Sequence, residues 1–459
     1  MIGRQVAPEA RGSGGSGGWA FVGEGAANAV LAWRGPGGPG GGAGAVVRLR
    51  KAGGGAYLAV AAGSRRDAEA LEREVWGPGG GSGATVDFTE RYLRPVLGTF
   101  AWGGPISPLR ADELPGGAPA LLEALPERLS APGALADPLD GLLLADAAAV
   151  PPGRGPPEVV SVLCLEIKPK SGVPLAAADW RGLRPAGAPQ DAPAGVSFYA
   201  MQQARRLAEG RVPRASSYCP LELFSGDLGR ASAALLHLMQ EPQNHFKAFR
   251  DGEALPELLV PESLVPGGPP RRKIGGSPLR ALAEDVLGGP REPWGPWPGE
   301  QRLARVLAQI LVESGVLERV LRAQQRDAHG LLRAQAAAEC LSAGALDVSS
   351  REAAREALRD FSIGATAKDC AIMVVVWADA PSRDCEWRST TRRHHNKFDY
   401  ATCCGRLQGP HAPGGIFYRV SVIDLDRKPL AKIPGKVEDR RRTLHAFHEA
   451  GGAGQLPPP

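Results

Sequence analysis

The sequence predicts an α+β chain of two lobes, and three observations predict it. A strand, a glycine turn and two further strands follow one another between residues 19 and 51. An apolar strand through residues 158–167 then ends in a cluster of charge, Glu166-Ile167-Lys168-Pro169-Lys170. Later, Leu303, Val306, Leu307, Ile310, Leu311, Leu317, Val320 and Leu321 recur with a 3.6-residue period, which predicts one core helix over residues 300–325. The loop near residues 146–157 divides the lobes into 19–150 and 151–448, with disordered ends at 1–18 and 449–459.

In the first lobe, Gly23-Glu24-Gly25 links the strand at 19–22 to Asn28-Ala29-Val30-Leu31-Ala32-Trp33. Glycines let backbone N–H groups approach a phosphate closely, although the same pattern also suits a plain hairpin turn. The next strand, 45–51, brings Arg48 or Lys51 near that turn, where a basic residue can meet nucleotide phosphates. Residues 65–76 have helical spacing through Ala68, Leu71 and Val75. From there to about residue 135 the pattern reads as short strands and Pro-rich loops, and an apolar run then ends in Asp146.

In the second lobe, helices are predicted at 197–210, carrying Arg205 and Arg206, at 230–239 and at 351–360. Residues 251–300 read as a Pro/Gly-rich mobile insertion. Two more apolar strands carry charge at their ends. Lys368-Asp369 precede Ile372-Met373-Val374-Val375-Val376, and the strand at 417–426 ends in Asp424 and Asp426, followed by Lys428, Lys432 and Lys436.

Composition narrows the function. A hydrophobic content of 43% in 459 residues supports a substantial core, and a net charge of +5 is too mild to call for nucleic acid. The seven cysteines are odd in number and scattered, which fits a reducing compartment. With no apolar leader and no membrane-length run, the expectation is a soluble protein of the cytoplasm and/or nucleus, with no membrane and no obligate protein partner. Only ten of the 54 basic residues are lysines, and six of those ten lie in the three charged stretches. A compact, mobile ammonium is therefore retained where the chain otherwise uses arginine.

Strand alternation puts Glu166 and Lys168 on one face, and Asp424 and Asp426 on one face. Neighbouring ammonium groups repel unless an anion lies between them. Acids and lysines at strand ends suit ATP-dependent phosphoryl transfer: a carboxylate for Mg²⁺, an Asp to take a hydroxyl proton, and lysines to offset phosphate charge. The lysines exceed what ATP alone requires, which points to an acceptor already dense in phosphate. A solvated basic turn is the alternative for an isolated Lys-Pro-Lys.

Six ordered blocks resemble the inositol-pentakisphosphate 2-kinase family: Gly23-Glu24-Gly25 with Asn28, Cys164–Lys170, Tyr218–Gly226, Gln243-Asn244, Thr366–Met373 and Val422–Pro429. The resemblance implies a two-lobed inositol-polyphosphate-kinase-type fold distantly related to protein kinases. It implies transfer from ATP, with Mg²⁺, to the 2-hydroxyl of inositol 1,3,4,5,6-pentakisphosphate, giving the hexakisphosphate. By position it assigns Gly23, Glu24, Gly25, Asn28 and Arg48 to the ATP phosphates, Asp146 to the adenine hinge, Asp369 as base and Asp424 to Mg²⁺. Lys168, Lys170, Arg206, Asn244, Lys428 and Lys432 fall to the substrate phosphates. A kinase of a less phosphorylated inositol and a non-catalytic inositol-phosphate binder are the alternatives.

The departures concern selectivity. The family pattern R-[FY]-C-M-H-Q reads Phe198-Tyr199-Ala200-Met201-Gln202-Gln203 here, which removes an arginine contact worth ~1.5–3 kcal/mol if buried. His245 replaces a second Asn, and Lys436 stands where an aromatic is common. Cys385, His394, His395, Cys403 and Cys404 resemble the zinc-bearing loop of plant members, but without a C-x₂-C spacing a polar loop is expected rather than a structural Zn²⁺ site.

Overall fold

The computed structural model describes residues 17–24, 28–34, 44–52, 65–131, 133–135, 140–148, 162–251, 253–255, 299–344, 347–378, 404–407 and 416–452. Gly25, most of the 251–300 insertion, the expected lobe boundary after residue 148 and all of the Cys/His loop except Cys404 lie outside these residues.

Two antiparallel sheets carry the fold, so the chain is α+β. The first contains β1 (Gly18–Glu24), β2 (Asn28–Arg34), β3 (Ala45–Arg50), β4 (Ile106–Pro108) and β5 (Gly141–Ala145), in the order β1-β2-β3-β5-β4. The second contains β6 (Val162–Ile167), β7 (Phe246–Arg250), β8 (Glu253–Ala254), β9 (Ala371–Ala378), β10 (Cys404–Leu407) and β11 (Ile416–Ile423), in the order β10-β11-β9-β6-β7-β8. β9 lies centrally, with Val374 opposite both Leu165 and Val420. Its continuous apolar run is what a strand covered on both faces requires. Val374 and Val376 enter the main core with Leu165 and Leu307, whereas Val375 and Trp377 pack with Cys164 and Phe417 on the other face.

The helices that frame the site are α1 (Arg65–Trp76), α2 (Phe198–Ala208), α3 (Leu228–Gln240), α4 (Gly299–Glu313), α5 (Val316–Gln325), α6 (Leu331–Ala343), α7 (Val348–Ala367) and α8 (Ile433–Glu449). Side-chain caps start three of them: Ser197 accepts from Ala200 N, Asp227 from Arg230 N and Asp347 from Ser350 N.

Several expectations need correction. The helix expected over 300–325 is two helices, because Gly315 adopts φ 72° between them. A glycine takes that conformation without a Cβ clash and turns the chain while the apolar period carries on. Residues 77–130 are mainly helical, including Gly81–Phe88, a π-helical turn Thr89–Leu93 and Arg94–Leu97, with β4 the one strand among the described residues between α1 and β5. The last strand stops at Ile423, because Asp424 is left-handed at φ 61°. The helix expected at 351–360 extends to Ala367 and so reaches Lys368-Asp369.

The two sheets meet near Gly103. Trp102 N donates to Val422 O (2.7 Å), and buried Arg419 donates to Gly103 O (2.7 Å) and Asp146 O (2.9 Å). Gly103 has φ +66°, and a Cβ there would collide with the Ser421 hydroxyl. No helix among the described residues is long and apolar enough to cross a membrane.

Candidate active site

Three chain segments bring charge to one end of the second sheet. β6 ends at Ile167, after which Lys168 N donates to His245 O (2.8 Å) and Pro169, with no N–H to give, closes the ladder. The Tyr218 hydroxyl holds Pro169 O (2.7 Å), and Lys170 follows with a left-handed φ of 60°. α7 ends in a turn that presents Asp369 just before β9. β11 ends next to it and presents Asp424, Asp426 and Lys428.

The charges alternate in two connected runs. Lys247 (3.2 Å) and Lys168 (3.9 Å) flank Glu166, and Lys168 also approaches Asp424 (3.7 Å). From β3, Arg48 reaches Asp424 (3.4 Å) and Asp426 (2.7 Å) while its guanidinium lies over the Trp102 ring. In the second run Lys170 (3.6 Å) and Lys428 (2.5 Å) flank the Asp369 carboxylate. Each run keeps a carboxylate partly open to water, so the pairs add little stability and the arrangement is better read as a held pattern of charge.

The ionisation of the site follows from that pattern. Burial works to raise the pKa of Asp369, but Lys428, Lys170 and Lys436 outweigh it and bring the carboxyl down to about 2. Burial lowers the Lys170 pKa, opposed by Asp369 and reinforced by Lys168 and Arg206. Lys436 falls to about 8 through burial and the neighbouring Lys428. His245, buried against Tyr199, is driven to about 3 by burial and then by Lys170, Arg206 and Lys168, so it is neutral.

Of the residues singled out from the sequence, Arg48, Lys168, Lys170, Asp369, Asp424 and Lys428 join this network. Arg206 stands beside it and donates to Gln243 Oε1 at 3.4 Å. Asn244 is exposed next to His245, and Lys432 lies at the start of α8. The other described residues expected at the nucleotide have contacts of their own. Glu24 is bound to Arg128 (2.8 Å) and Lys51 (3.0 Å), Gly23 is in β1, Asn28 opens β2 opposite Arg50, and Asp146 caps Ala148 N beyond β5. Sequence reasoning missed Lys247 and Arg419. The β6–β7 register, with Glu166 opposite Lys247, places the first, and no local signal marks that pairing.

Asp424 and Asp426 are half-exposed hard-oxygen donors converging on Arg48. That fits Mg²⁺, which takes one or two carboxylates and completes its shell with phosphate oxygens and water. Among the described residues there is no group of three or more His, Cys, Asp or Glu side chains that could enclose a metal ion.

A family model described as inositol-pentakisphosphate 2-kinase matches residues 21–441. Over 99 residues the sequence is 37% identical to an inositol-pentakisphosphate 2-kinase of Danio rerio, covering 20% of this chain and 18% of that protein. It is 25% identical over 283 residues to one of Oryza sativa subsp. japonica, covering 57% of this chain and 56% of the rice protein. It is 27% identical over 259 residues to one of Arabidopsis thaliana, covering 52% of this chain and 50% of that protein. The chain thus spans about half the length of the plant relatives it matches and under a fifth of the fish one.

Proposed function

The chain belongs to the inositol-pentakisphosphate 2-kinase family, and from that premise we propose that it transfers the γ-phosphoryl of ATP to the 2-hydroxyl of inositol 1,3,4,5,6-pentakisphosphate. We read its two sheets as the two lobes of a kinase-like fold, with the nucleotide on the first and the inositol phosphate on the second. The observation that carries the reading is the Asp369 carboxylate held between Lys170 and Lys428, one strand end away from Asp424 and Asp426. A pure anion binder gains nothing from carboxylates facing its ligand.

In the proposed reaction the 2-hydroxyl oxygen bonds to the γ-phosphorus, the bond to the β–γ bridging oxygen breaks, ADP leaves, and Asp369 receives the hydroxyl proton. At a pKa of about 2 Asp369 is a weak base in the free protein. A polyphosphate that draws Lys170 and Lys428 onto its own oxygens relieves that depression and strengthens the base when acceptor is present. Lys168, Lys170, Lys428, Lys432, Arg206 and Asn244 bind the acceptor phosphates, and Gly23, Glu24, Gly25, Asn28 and Arg48 lie along the ATP phosphates with Asp146 at the adenine. Asp424, with Asp426 beside it, would hold Mg²⁺, which when bound neutralises charge on the donor phosphates.

One observation favours a less phosphorylated acceptor. The Phe198 ring lies where the family pattern has an arginine, covered by the Arg440 guanidinium (5.0 Å), which is itself bound to buried Asp179. The test is transfer from labelled ATP to inositol pentakis- and tetrakisphosphates, wild type beside D369N. Hexakisphosphate from the wild type and none from D369N supports the proposal, and preferred turnover of a tetrakisphosphate moves the substrate. A folded protein that binds the pentakisphosphate and never phosphorylates it is a binding protein.

A further inference from the structure

Gln324 lies in α5, fully buried, and all three hydrogen bonds of its side-chain amide go to the backbone beside the charged network. Its Oε1 accepts from Gly172 N (2.7 Å), and its Nε2 donates to Lys170 O (2.8 Å) and Ala367 O (3.1 Å). One amide thus ties the loop after β6 to the last residue of α7. The first segment carries Lys170 and the second leads directly to Asp369.

The neighbourhood is built to let the amide reach. α5 and α7 touch at Gly364, where a Cβ would collide with Asp327 and sit 3.1 Å from Gln324 O. A larger residue there would push the helices apart. Asp327 also holds the Lys368 ammonium (2.8 Å), turning that lysine toward α5 while Asp369, one residue on, faces Lys170 and Lys428. Thr366 Oγ1 donates to Asp426 O (3.1 Å), so the end of α7 is tied to the third charged segment as well.

Gln324 shares α5 with Val320 and Ala323 of the apolar core, and an unbonded amide buried there would be costly. A leucine would suit that surrounding without needing partners. Lys170 is held in a left-handed conformation that L-residues seldom adopt, and its carbonyl is one of the three groups Gln324 binds. Bonds that lead only to the two segments bearing Lys170 and Asp369 are what positioning requires.

We propose that Gln324 is a positioning residue for phosphoryl transfer, setting the Lys170 ammonium against the Asp369 carboxylate by clamping the two backbone segments that carry them. The proposal rests on the kinase reading for its effect on turnover, and on geometry alone for its effect on the pair.

The test compares wild type, Q324L and Q324E. Leucine removes all three bonds, and glutamate keeps the acceptor for Gly172 N while losing at least one of the two donations. For each protein, kcat and KM are measured with ATP and inositol pentakisphosphate, and the Asp369 carboxyl is titrated by carbon NMR. Q324L is expected to lower kcat about 10- to 100-fold, the cost of a misplacement near 1 Å, with KM for ATP nearly unchanged. Asp369 is expected to titrate about one pH unit higher as Lys170 draws away. Unchanged kcat and unchanged Asp369 titration in folded Q324L overturn the proposal. If Q324L does not fold, Q324E carries the same comparison, and failure of both to fold would make Gln324 a stability residue and equally overturn it. A wild type that makes no hexakisphosphate refutes the kinase reading, while the NMR comparison still decides whether Gln324 positions the pair.

Discussion

The Lys428 ammonium lies 2.5 Å from the Asp369 carboxylate, and this contact joins the third charged segment of the chain to the second. It also sets the acid range of the site. Because the folded pKa of Asp369 is depressed from 3.8 to about 2, its interactions stabilise the fold above the unfolded value and are lost as pH falls through about 2. K428M is expected to move the Asp369 titration up by about one pH unit and to lower turnover about 100- to 1000-fold, since it also removes a cation proposed to bind the acceptor phosphates beside the base. Carbon NMR of Asp369 and steady-state rates check the two effects separately. An unmoved titration would show that Lys428 does not control the base.

Lys436 predicts behaviour at the alkaline end. Its pKa is lowered from 10.5 to about 8, with burial the largest cause and Lys428, Arg440 and Lys432 adding to it against Asp369. Between those two values the unfolded chain binds more protons than the folded one, so Lys436 makes stability rise with pH across that window. Acceptor binding runs the other way, because a polyanion favours the protonated amine. Affinity for inositol pentakisphosphate is expected to fall as pH rises past about 8. Calorimetric titrations from neutral pH upward check this, and K436M should flatten the fall.

Much of the candidate site is legible in the sequence because charge at strand ends stands out in a lysine-poor chain. Glu166, Lys168, Lys170, Asp369, Asp424 and Lys428 all stand out this way, and they pair in space as Glu166–Lys168–Asp424 and Lys170–Asp369–Lys428. Asp424 and Asp426 converge for a different reason from the alternation expected of a strand. Asp424 turns into the left-handed region, which aspartate tolerates better than most residues, and Arg48 then gathers both carboxylates. The break at Gly315 is hidden because the apolar period continues on both sides of it. Lys247 and Gln324 depend on strand register and helix packing, which no local pattern encodes.

Gly103 predicts a cost in stability. Its φ of +66° is strained for any L-residue, and a Cβ would meet Ser421 Oγ and the Arg419 guanidinium. G103A is expected to lose about 2–4 kcal/mol, the left-handed strain plus overpacking at the contact between the two sheets. Denaturant unfolding measures it. A loss under about 0.5 kcal/mol, the range of an ordinary surface substitution, would mean that the contact gives way freely.

Arg48 predicts how metal and nucleotide depend on one another. Its guanidinium bonds to Asp424 and Asp426, the carboxylates proposed to take Mg²⁺, so metal binding without nucleotide must compete with an ion pair. Phosphate oxygens would draw the guanidinium away and leave the carboxylates to the metal. R48M removes the competitor. Mg²⁺ alone is expected to bind R48M about three- to fivefold more tightly, the equivalent of ~0.7–1 kcal/mol for an ion pair whose carboxylates remain partly open to water. KM for ATP is expected to rise, because the cation proposed to meet its phosphates is gone. Calorimetry with Mg²⁺ in the absence of ATP, beside steady-state kinetics, reads both changes. Equal Mg²⁺ affinity in the two proteins would show that Arg48 does not compete for these carboxylates, and an unchanged KM would remove it from the nucleotide site.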